Sequence, residues 1–130
     1  MKEMVSEREF DWAREGNFKA LIEFFKNGGD VNYKNHEGHS LLMVAASNDH
    51  WGLCYWLIRN GADVNAIDLS GNTILMAACL RGFGRIVRLL LSFGADPFIQ
   101  NAYGLTAMDY AKSFKHDEVI HVLSGDHLFH

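Results

Sequence analysis

Two kinds of apolar segment alternate along the chain. Across Trp51 to Arg59 and Gly84 to Phe93, the residues Leu53, Cys54, Leu57, Ile58 and Ile86, Val87, Leu90, Leu91 recur three and four apart. That spacing gathers them on one face of an amphipathic helix. Before each lies a shorter and more uniformly apolar run, Leu41 to Asn48 and Ile74 to Arg81, with a weaker version at Ala107 to Phe114. A Ser or Thr stands in front of every short run, at Ser40, Thr73 and Thr106. Its hydroxyl can accept a bond from an unpaired amide of the first helical turn. Small Ala45-Ala46, Ala77-Ala78 and Ala111 would let such helices approach closely. The pattern predicts pairs of short helices, an inner one apolar nearly all round and an outer one buried on a single face.

The pairs keep a fixed step of 33 residues, marked by Gly28-Gly29-Asp30-Val31-Asn32, Gly61-Ala62-Asp63-Val64-Asn65 and Gly94-Ala95-Asp96-Pro97-Phe98. Gly38, Gly71 and Gly104 keep the same step. Gly28, Gly61 and Gly94 fit the left-handed residue that closes a helix, and Asp30, Asp63 and Asp96 are placed to bond turn amides. Four units follow, at about 6–32, 33–65, 66–98 and 99–123, the first and last incomplete, with a short tail over 124–130. Ser6-Glu7-Arg8-Glu9 reads as a capping box. Glu9 and Asp11 stand where the second unit has Leu42 and Val44, so the first helix is expected to turn that side to water. Ser124-Gly125 is expected to halt the last helix and end the array.

Two landmarks in one register resemble the ankyrin repeat family, whose unit is a turn plus two short antiparallel helices. The resemblance implies an all-α ankyrin-repeat solenoid of helix-turn-helix units with short β-turn fingers, in a single domain spanning 1–130. The family's Thr-Pro-Leu-His tetrad appears here as Ser40-Leu41-Leu42-Met43, Thr73-Ile74-Leu75-Met76 and Thr106-Ala107-Met108-Asp109. With that histidine gone, Met packing would have to replace its hydrogen bonds between repeats, and modest stability is expected. His50 and His116 fall at the family's usual histidine opening the outer helix. Trp51, Trp56, Phe24 and Phe25 fall where an ankyrin unit buries Leu or Ile. The family's variable, concave positions grow more apolar toward the C-terminal half. The expected partner-binding set is Leu69, Leu80, Tyr103, Leu105 and Phe114 as anchors, with His36, Glu37, His39 and Arg81 giving polar selectivity.

Composition narrows the function. Apolar residues make up 48% and charged residues 22%, which suits a folded chain, and the net charge of −4 is spread without a run of like charges. Nucleic acid is not expected as a partner. Neither a membrane span nor a signal peptide is visible, so the reading is cytoplasmic. Cys54 and Cys79 stand where other units carry Val87 and Ala46, so both read as small buried hydrophobes. Gly82-Phe83-Gly84 lacks the strand of a dinucleotide fingerprint, and His36-Glu37-Gly38-His39 lacks the helical spacing of a zinc motif. No catalytic, cofactor or metal residues are expected. The expected role is a non-catalytic, monomeric binder that inhibits or masks one partner protein through its concave face, with binding itself as the output. The alternatives are a bacterial immunity protein neutralising a toxin by the same mode and, from another class, a metal-binding sensor using the His-rich fingers and tail.

Overall fold

The computed structural model describes residues 7–125. Eight helices follow in order: α1 (Arg8–Glu15), α2 (Phe18–Lys26), α3 (Leu41–Ser47), α4 (Trp51–Arg59), α5 (Ile74–Arg81), α6 (Gly84–Ser92), α7 (Ala107–Ser113) and α8 (Asp117–Ser124). They form four pairs. The inner helices α1, α3, α5 and α7 pack side by side in that order, and α4, α6 and α8 form an outer row. The interior between the rows holds Leu21, Leu41, Leu42, Leu53, Leu57, Ile74, Leu75, Ile86 and Leu90, all fully buried. A stack of this kind has no single centre, because each pair buries its apolar face against its neighbours.

Local chemistry sets the boundaries. The hydroxyls of Ser40, Thr73 and Thr106 accept from the amides of Met43, Met76 and Asp109 at 3.2, 3.0 and 3.3 Å. Two of these caps are reciprocated, by the Met76 sulfur accepting from the Thr73 amide at 3.4 Å and by an Asp109 oxygen accepting from the Thr106 amide at 2.8 Å. Gly28, Gly61 and Gly94 follow the outer helices with positive φ. Asp30, Asp63 and Asp96 then accept from the amides two residues on, at Asn32, Asn65 and Phe98, each at 2.9 Å.

Four expectations need correction. Trp51 is exposed, while Trp56, Phe24 and Phe25 pack half-buried against the core. Glu9 is buried, so its helix turns Asp11 but not Glu9 to water; the register position stays interior whatever occupies it. The first helix is capped at Glu7 without a side-chain cap bond, so Glu9 is not placed to complete a capping box, and Ser6 lies outside the described residues. Met packing does not stand alone between units: Met43 and Met76 are buried, yet side chains elsewhere supply the bonds that cross the stack. The Asn32 side chain donates to the Gly61 carbonyl at 3.0 Å and accepts from the Asp63 amide at 2.8 Å. Asn65 repeats this on Gly94 and Asp96 at 3.2 and 2.8 Å. His50 and His116 donate through Nε2 to the Arg14 and Leu80 carbonyls at 2.7 and 2.9 Å. The last helix stops at Ser124 with Gly125 left-handed, as expected, and 126–130 lie outside the described residues.

Candidate functional site

Three fingers project between the pairs, and one device builds each. Asn35, Asp68 and Asn101 stand 33 residues apart. The side chain of each bridges the amides two and four residues on: Glu37 and His39 at 3.0 and 3.0 Å, Ser70 and Asn72 at 2.9 and 2.9 Å, and Tyr103 and Leu105 at 2.9 and 3.1 Å. Backbone bonds from the Asn35, Asp68 and Asn101 amides to the His39, Asn72 and Leu105 carbonyls close the three fingers at 2.9, 3.0 and 3.0 Å. Lys34 Nζ, in the first, reaches the Ile67 carbonyl of the next at 2.7 Å.

Where fingers meet inner helices they enclose a groove of about 300 Å³, lined by Arg14, Glu37, His39, Asp68, Asn72, Leu80 and Tyr110 over a floor that includes Met43, Val44, Met76 and Ala77. A polar track crosses it. The Asn101 amide group donates to Asn72 Oδ1 at 2.8 Å and to the Tyr110 hydroxyl at 2.9 Å, and Asn72 in turn donates to Asp68 Oδ2 at 3.2 Å. The His39 ring lies between two carboxylates, 3.5 Å from Glu37 and 3.7 Å from Asp68. The Asp68 side chain is only 12% exposed, so its charge acts with little screening by water. Side chains already held by such bonds lose little freedom when something docks on them.

The sequence-derived set divides over this face. Glu37, His39 and Leu80 line the groove. Leu69 and Tyr103 stand at fingertips with 79% and 76% of their surface exposed, and Leu105 lies beside Tyr103, also exposed. The Leu69 side chain rests over Gly38 of the preceding finger, within 3 Å of where a Cβ would stand. Phe114, exposed at the end of α7, stacks on His116 with ring centroids 6.3 Å apart. Arg81 lies over the Phe83 ring at 5.4 Å and outside the groove lining. His36 points away to the first pair, where its ring and its amide meet the Glu7 carboxylate at 3.0 and 3.2 Å. Sequence reading missed Arg14, Asp68 and Tyr110. All three carried a usable signal in the 33-residue register: Asp68 shares it with Asn35 and Asn101, Arg14 with Ser47 and Leu80, and Tyr110 with Val44 and Ala77, and Ser47, Leu80, Val44 and Ala77 also line the groove.

Cys54 and Cys79 are buried and unpaired, and burial pushes both thiols up to about 12, with the Asp49 carboxylate adding to the rise at Cys54. Neither is poised as a nucleophile. Among the described residues no three His, Cys, Asp or Glu side chains gather where they could hold a metal ion, and no helix is long and apolar enough to cross a membrane.

A search of the curated proteins found no match. The family model described as ankyrin repeats, three copies, matches residues 11–101 and, in a second placement, 42–128. Together these matches span all four helix pairs. Paired helices on a 33-residue step, capped alike and linked by fingers of one construction, are the physical content of that match, and the chain belongs to the ankyrin repeat family, whose repeats generally mediate contacts between proteins.

Proposed function

We propose that this protein is a non-catalytic binding module that holds one partner protein across its fingers and inner helices and acts by covering that partner's surface. The observation that carries the reading is the groove itself. An apolar floor with Leu80 lies beneath a hydrogen-bonded polar track, and Leu69 and Tyr103 stand exposed on the fingers. Apolar anchors beside fixed polar groups are the make-up of a binding hot spot. The half-buried Asp68 carboxylate and Glu37 favour a partner that brings a basic or amide side chain to the His39 end. The free protein acts as a monomer in the cytoplasm, and neither nucleic acid nor membrane is its target. Inhibition of the partner by occlusion is the expected output, and neutralisation of a toxin by an immunity protein would use the same geometry.

The test is capture from lysate of the source organism by the parent and by a Leu80→Asp, Tyr103→Arg double variant, with folding of both verified by circular dichroism. A partner held by the parent and released at least tenfold faster by the variant supports the reading. Equal retention by both would overturn it.

A further inference from the structure

The outer row of helices carries a second surface that the finger-side reading does not use. On α4 the Trp51 and Tyr55 rings stack with centroids 5.5 Å apart and planes within 3° of parallel, and Phe93, just past α6, meets Tyr55 edge-on at 6.1 Å. All three are exposed. Beside them an open groove of about 500 Å³ is lined by Trp51, Arg85, Arg88, Leu89 and Ser92. Neither α4 nor α6 contains an Asp or Glu, so Arg59, Arg85 and Arg88 set the local field on a molecule whose net charge is −4. Acid enters at the rims, from Asp49 just before α4, whose carboxylate is felt at Cys54, and from Glu118 of α8, which meets Arg88 at 3.1 Å. That pair shows the geometry in which this edge takes a carboxylate. Arg85 makes no ion pair among the described residues.

We propose that this face is a second docking surface, for an acidic protein segment that lays an apolar side chain against Trp51 and Leu89 and its carboxylates on Arg85 and Arg88. Charge complementarity selects this occupant. A second copy related by a twofold axis would bring the same arginines against each other, since such an interface pairs a patch with itself. A long nucleic acid would meet the repulsion of the whole acidic molecule. A short acidic segment meets only the local positive field, and planar guanidiniums beside exposed aromatic rings suit carboxylate recognition with an apolar anchor.

The experiment is fluorescence anisotropy with a dye-labelled peptide, Glu-Glu-Asp-Phe-Leu-Glu-Glu, titrated with the intact protein at low salt. Saturable binding is expected, weakened at least tenfold by Arg85→Ala with Arg88→Ala and by Trp51→Ala, and left within twofold by Leu80→Asp on the finger side. Tyr55→Ser gives an independent aromatic variant should Trp51→Ala fail to fold. No binding by the parent overturns the proposal. So does binding insensitive to the outer-face variants, loss of binding with Leu80→Asp, or equal binding of a single-stranded oligonucleotide. The finger-side control separates failure of this surface from failure of the proposed function.

Discussion

Between the helices of each pair the chain passes through one left-handed residue: Gly16, Asp49, Gly82 and Lys115, with φ of 74°, 62°, 76° and 57°. The residues 34 positions later explain the choice. His50 and His116 lay their rings where a Cβ on Gly16 or Gly82 would stand, 2.7 and 2.5 Å from the ring Nδ1, and bond the carbonyls of Arg14 and Leu80. After Asp49 the same position is Phe83, which makes no such bond, and a side chain is tolerated. Gly82→Ala therefore carries a left-handed alanine, about 1–2 kcal/mol, and displaces His116 from its bond, about 1 kcal/mol more. The expected loss in urea unfolding is ~2–3 kcal/mol. Adding His116→Ala should recover part of it, because the ring that clashes is then gone; strict additivity of the two changes would count against the coupling. Both partners are plain in the sequence, but their contact spans adjacent pairs and depends on how these stack, which residue types alone do not encode.

Each turn between pairs combines a local device with a long-range one. Asp63 accepts from the amide two residues on, and such local bonds are readable from spacing. Asn65, in the same turn, reaches 29 and 31 residues ahead to Gly94 and Asp96. Asn32 does the same one unit earlier, whereas Phe98 holds that register position without an amide side chain. Asn65→Ala strips two bonds and leaves the Asp96 amide without its partner, so a cost of about 1–3 kcal/mol is expected from the urea midpoint, with Asn32→Ala similar. An effect below a few tenths for both would show that the row of asparagines does not hold the stack. The limits of α3 to α7 were legible to within a residue because periodicity and caps are local. Trp51 was misplaced in the core, although its equivalent in the last pair is Asp117, and an acid at the same register signals an outward position.

At the scale of the molecule the two cysteines report on the stack's integrity. Cys54 and Cys79 belong to the two middle pairs, and with thiols near 12 only about one in ten thousand would be thiolate at pH 8 even if a reagent reached them. Labelling with a disulfide reagent should then await opening of the array, with both thiols reacting together and faster as urea is raised. One thiol reacting before the other, with a smaller urea dependence than global unfolding shows, would mean that a middle pair opens alone. The repeat step made the stack legible from residues alone, while the groove's polar track was not, since Asp68, Asn72, Asn101 and Tyr110 meet only once neighbouring units are docked. The glycine and histidine pairs have a further effect on assembly. A chain of identical units could fold with one looped out, because every unit would accept every other as its neighbour. Here, docking the fourth unit directly on the second would set the Asp49 side chain against the His116 ring, and docking the third on the first would leave Gly16 facing Phe83, with no imidazole for the Arg14 carbonyl. The order of the units is thus written into their contacts, and misassembled registers are penalised before any partner arrives.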